Sequence, residues 1–297
     1  MKKKNQGNVF VILMLALLTI VWSIPTFGLF ISSLRSEDAV NSTGWWTVFS
    51  DLKNADLSFE NYSIVLTGRS MRGDGNVTRG AEKIQMIEAV INSLTVAIPS
   101  TLIPILIAAF AAYGFAWIRF PGRKLLFILV VASMVIPLQI ALIPLLIDYM
   151  KIDLNGTFLG VWLAHTGFGL SLAIYLLYNY ISAIPRDILE SAFIDGASHF
   201  TIFFRLIFPL SVPALASFAI FQFIWVWNDL LVSLVFLGIE PRYEVLTMRL
   251  KNMVGTFGTD WHLLTSGAFV SMLIPMVVFV SLQKYFVRGL LAGSVKG

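Results

Sequence analysis

An acid inside a long apolar run is costly to keep, and such a residue usually has a task. Asp229 is the acid lying deep in such a run here. Asn228 precedes it, and Gln222 lies seven residues upstream on nearly the same helical face. Gln139, His165 and Trp227 occupy other apolar positions. These six offer hydrogen-bonding groups and a flat ring, which a hydroxylated solute needs along its path. The alternative is structural: Asn228 and Asp229 can bond neighbouring helices together. His165 then reads as an interior hydrogen-bonding residue, with Gly167 and Gly169 marking close helix approach.

Catalytic chemistry finds no foothold. There is no G-x-x-x-x-G-K-[ST] phosphate loop, no H-E-x-x-H and no G-x-S-x-G elbow. Cysteine is absent, which excludes disulfides and thiolate chemistry. His165, His199 and His262 lie far apart in the chain, so no metal site is expected. The chain reads as a conduit and not as an enzyme.

The elements that must carry these residues follow from composition. Of 297 residues 57% are apolar and only 13% charged, and the mean hydropathy is +0.81. A soluble chain has about 25% charged residues. A span needs about 20 apolar residues, and six stretches qualify: Val9–Leu34, Ile87–Trp117, Leu125–Ile147, Phe158–Ile181, Leu210–Leu237 and Leu264–Phe286. Continuous apolar runs in lipid must be helices, because open strands leave backbone groups unpaired. The expected fold is all-α, a polytopic membrane protein with six transmembrane helices. Three regions follow: an N-terminal span at 1–34, an extracytoplasmic loop or small cap at 35–86, and a permease core at 87–297. Eleven of the 21 Lys and Arg residues fall in the short segments that would face inward, which places both termini in the cytoplasm. The first span follows Lys2, Lys3 and Lys4 and is too long for a cleaved signal, so it is expected to stay. Four N-glycosylation sequons, at Asn41, Asn61, Asn76 and Asn155, are attributed to chance in polar loops.

The most informative stretch is AIPRDILESAFIDGASHFTIFFRLIFPLSVP, Ala183–Pro213. Pro185 and Asp187 suit the first turn of a helix running to about Asp195. Gly196 supplies a left-handed cap. Ser198 then caps a second helix, in which Phe200, Phe203, Phe204 and Ile207 fall on one stripe. Two readings stand: an interfacial helix resting on lipid, or a knob for a soluble partner with Glu190 as its charged contact.

Glu190-Ser191-Ala192, then Gly196 after three residues, then Leu206-Ile207-Phe208-Pro209 after nine more, resembles the EAA loop of ABC importer permeases, E-A-A-x3-G-x9-I-x-L-P. It departs at Ser191, Leu206 and Phe208. Asn92-Ser93-Leu94, Trp227-Asn228-Asp229 and the tail Gln283–Gly289 are similar to the carbohydrate branch, the smaller maltose-type permease in particular. The resemblance covers the chain from about Asn92 onward. It implies a coupling loop at 183–209, with Glu190, Ser191, Ala192, Asp195, Gly196 and Ala197 entering an ATPase cleft. It implies a second permease, two copies of a cytoplasmic ATPase that binds ATP and Mg, and a periplasmic or lipid-anchored solute-binding protein. This chain would hold no cofactor and bind no nucleic acid. A loop after span five, with Lys251, Asn252, Gly255 and Gly258, would contact the binding protein, and Ser294–Gly297 would reach between the ATPase subunits. The implied substrate is an oligosaccharide or α-glucoside, with the sugar contacts coming mainly from the partner permease. The competing reading from another class is a stand-alone ion-coupled transporter or channel that uses Asp229.

Overall fold

The computed structural model describes residues 3–52, 55–69, 85–256 and 260–294. In chain order the helices are α1 (Lys3–Ser33), α2 (Glu37–Ser42), α3 (Glu60–Thr67), α4 (Met86–Trp117), α5 (Arg123–Ala132), α6 (Leu138–Lys151), α7 (Phe158–Ser182), α8 (Arg186–Ile194), α9 (His199–Ile202), α10 (Phe208–Leu210), α11 (Val212–Trp227), α12 (Leu231–Leu237), α13 (Leu246–Thr256) and α14 (Trp261–Ser294). No strand occurs among the described residues, so the fold is all-α. The chain divides into two compact units, residues 1–87 with 249–272 and residues 88–248 with 273–297.

In the first unit, α1 exposes its side chains from Val9 to Phe27, an apolar face suited to lipid or a partner helix. The carbonyls at the end of such a helix lack intrahelical partners, and the following segment supplies them. The Asn61 amide donates to Ser33 O at 2.9 Å and Arg35 O at 2.8 Å. Arg35 is itself buried and donates to Ala39 O at 2.7 Å, to Thr43 O at 3.1 Å and to Thr43 Oγ1. Asn61 is buried in these bonds, so this sequon is closed to a glycan while the cap is folded. Trp45 packs edge-on against Phe27 and lies over Gly28, where a Cβ would come within 2.5 Å of the indole nitrogen.

Four helices, α1, α4, α7 and α14, are long and apolar enough to cross a membrane; six spans result if two bent pairs are each counted as one. The expected third span is broken into α5 and α6, which turn by 104°. Pro137 caps α6, and its ring disfavours helix at Ile136, which is extended at ψ 117. The expected fifth span is likewise not one helix. α11 joins the preceding segment through a bend of 68° and stops at Asn228, and α12 starts afresh at Leu231.

Candidate functional site

The segment after α7 is an elbow of two helices. Pro185 precedes α8 as its N-cap, one position before the expected first turn. Gly196 has φ +78, and the cap closes with Gly196 N–H donating to Phe193 O and Ala197 N–H to Ala192 O, both at 3.0 Å. These are the paired bonds of a Schellman motif, which needs a left-handed residue at that position. The Ser198 hydroxyl then accepts from Thr201 N–H at 3.2 Å and starts α9.

The second helix departs from the expected stripe. Residues Phe203–Ile207 form a π-helical turn, which rewinds the face by one residue. Ile202, Phe203 and Ile207 are buried, whereas Phe200 and Phe204 are exposed. The inward set joins Leu189 of α8, Ala108, Ala112 and Tyr113 of α4, and Leu177 and Ile181 of α7 in one core. Phe110 stacks on Phe203 at 4.4 Å, and the Tyr113 hydroxyl pairs with His199 Nδ1 at 2.8 Å. The elbow is thus bolted to two membrane helices. Its outer face carries Glu190, Ser191, Asp195 and Gly196 exposed, with Ala192 and Ala197 half-buried, and Ile194 is 85% exposed. An apolar side chain that open, beside a carboxylate and on a rigid mount, suits a protein contact.

A groove of about 680 Å³ lies between the α5–α6 turn, α6, α7 and the α11–α12 break. Ser133, Gln139, Tyr149, Ser171, Trp225 and Asp229 line it. Ser133 and Ser171 share a 2.6 Å hydrogen bond. The break sets Asp229 at the N-terminal end of α12, where its carboxylate accepts from Ser233 N–H at 3.0 Å. His165 Nε2 lies 3.8 Å from the same carboxylate, with the His165 ring edge-on to Trp225 at 5.2 Å.

Of the six expected path residues, Gln139 and Asp229 line this groove. His165 is fully buried behind it. Gln222 is buried and donates to Ser100 O at 3.1 Å and His165 O at 3.4 Å. Gly169 leaves room for it: a Cβ there would lie 2.5 Å from Gln222 Oε1. Gly167, by contrast, faces open space. Asn228 turns back to Ile224 O at 2.8 Å, and Trp227 is buried against Phe223. The exposed indole is that of Trp225, two positions earlier and about 200° around the helix.

Residues 77–291 match the family described as binding-protein-dependent transport system inner membrane component. The chain belongs to that family. It is 56% identical to the osmoprotective compounds uptake permease protein GgtD of Synechocystis sp., covering 95% of this chain and 91% of that one. It is 44% identical to the alpha-glucoside transport system permease protein AglG of Rhizobium meliloti, covering 95% of both. Among solved structures it resembles a chain of a bacterial ABC transporter involved in the import of the acidic polysaccharide alginate. There the TM-score is 0.75 at 19% identity, covering 96% of this chain and 98% of that one. That likeness speaks to the fold.

As a permease of this family the chain is a multi-pass inner-membrane transport component and not an enzyme. Membership answers the stand-alone carrier reading, and the Asp229 carboxylate has a structural duty in accepting from Ser233 N–H of α12. Asn92 and Ser93 acquire a role that spacing alone did not reveal. The Asn92 amide donates to Arg242 O and Glu244 O, both at 3.0 Å, and Ser93 Oγ accepts from Leu246 N–H at 2.8 Å. The expected loop after span five is partly helical as α13, in which Lys251 and Asn252 are exposed. Gly255 belongs to α13, and Gly258 lies outside the described residues.

Proposed function

We propose that this permease is one half of the pathway of an ATP-driven importer for a neutral α-glucoside of the osmoprotectant or nutrient kind. The observation that carries the coupling is the elbow at Gly196: exposed Glu190 and Ile194 on a mount packed into α4 and α7. A nucleotide-driven motor can bias membrane helices only through such a stiff contact. Two copies of a cytoplasmic ATPase hold ATP and Mg. One of them receives α8, where Glu190 meets a basic group while Ser191, Ala192, Asp195, Gly196 and Ala197 fit its cleft. A second permease completes the path, and a binding protein outside delivers the solute to a surface that includes Lys251 and Asn252. Both termini face the cytoplasm, and the tail Ser294–Gly297 reaches toward the ATPase dimer; its last three residues lie outside the described set.

The names of GgtD and AglG support the substrate class. The groove supports it chemically, with Gln139, Asp229, Ser133 and Ser171 offering hydrogen bonds and Trp225 offering a flat apolar face. Glu190→Arg reverses the contact charge. In the reconstituted complex, uptake is expected to fall at least tenfold, about 1.4 kcal/mol of lost coupling, while the variant still inserts in the membrane. Wild-type uptake and wild-type stimulation of ATP hydrolysis in that variant would sink the docking assignment. The substrate class is tested by ligand binding to the cognate binding protein.

A further inference from the structure

Glu37, Asp260 and His262 each bring one ligand atom to a place where all three lie within 4.8 Å of one another. All belong to the unit of residues 1–87 and 249–272. Glu37 opens α2, a few residues past the end of α1, and Asp260 and His262 flank the start of α14.

Hydrogen bonds hold the backbone at Asp260 and His262 in place. Leu263 N–H and Leu264 N–H donate to Asp260 O at 3.1 and 3.0 Å. Ser266 Oγ lies within hydrogen-bonding reach of His262 O at 2.8 Å and of Ser33 O at 3.0 Å, which ties the start of α14 to the end of α1. His262 is 6% exposed, and its Nδ1 has no hydrogen-bond partner among the described residues. A buried ring nitrogen left unpaired is uncompensated for the water it lost. The two carboxylates beside it are acceptors only when ionised, and like charges that close repel. A divalent cation answers both deficits at once.

We propose that Glu37, Asp260 and His262 form a three-ligand site for a divalent transition-metal ion of the zinc class, with water in the fourth position. One imidazole nitrogen with two carboxylate oxygens matches that class, whereas magnesium and calcium favour sets made of oxygen alone. Donors around a tetrahedral zinc ion lie roughly 3.4 Å apart. The remaining closure falls to Glu37, whose exposed side chain is free to change rotamer. The ion clamps the end of α1 and the start of α2 to the start of α14. The proposed orientation puts this site outside the cell; the metal assignment rests on none of the transport reading.

The full chain, purified in detergent and stripped with a chelator, is titrated with Zn2+ by calorimetry and with Co2+ by visible absorption. The expected result is one equivalent bound with micromolar or tighter affinity, a rise in Tm with Zn2+, and the absorption bands of low-coordinate Co2+. Glu37→Gln and Asp260→Asn each weaken binding at least tenfold. His262→Gln abolishes it, but the two carboxylate variants carry the test because His262 is buried. The proposal is overturned if no stoichiometric binding occurs, or if both carboxylate variants bind as tightly as the native chain. It is also overturned if the cluster stabilises the chain through pH alone, as an imidazolium between two carboxylates, without response to Zn2+.

Discussion

Gln222 and Gly169 illustrate how a polar residue is kept inside a membrane helix bundle. The amide of Gln222 is desolvated, and its two backbone acceptors, Ser100 O and His165 O, lie on different helices. That arrangement exists because Gly169 presents no side chain where the amide sits. Gly169→Ala places a methyl against Gln222 Oε1, and overpacking of this kind costs about 1–3 kcal/mol. The expected outcome is a lower Tm of the purified protein, with partial recovery in Gly169→Ala, Gln222→Ala, where the clash is gone. If the double variant were no more stable than the single one, the close contact would not be the cause.

At the scale of elements, broken helices do what straight ones cannot. The α11–α12 break aims an N-terminal helix end at the groove and places Asp229 on it, and the α5–α6 turn opens the wall carrying Ser133 and Gln139. Irregular backbone at membrane depth is tolerated where it is enclosed by protein or lines a cavity. The segment after α12 is held by Asn92 and Ser93 of α4. Asn92→Ala removes two hydrogen bonds to carbonyls, each worth about 1 kcal/mol net. Faster proteolysis between Ile239 and Leu246 is therefore expected, with α4 itself intact. Unchanged protease resistance would show that the segment is held by other contacts.

For the whole molecule, the proposed arrangement predicts which surfaces face which compartment. The chain has no cysteine, so single cysteines report cleanly. Ser42→Cys should react with a membrane-impermeant maleimide in intact spheroplasts. Ser191→Cys should react only in inverted vesicles, and less so when the ATPase is bound. Labelling of Ser191→Cys from the outside would reverse the topology.

Much of this protein is legible before any folding. Long apolar runs force helices in lipid, and the Glu190 to Pro209 spacing marks the elbow, because local caps and glycine conformation are encoded within a few residues. The groove was less legible. Trp227 reads as the ring nearest Asp229, but helical rotation buries it and exposes Trp225. The Phe200 stripe fails for a similar reason, since one π turn shifts the face. The meeting of Glu37 with Asp260 and His262 has no trace in spacing, and histidine separation argued against any metal. Contacts between residues more than two hundred positions apart depend on how the end of α1 meets the start of α14, and packing alone settles that.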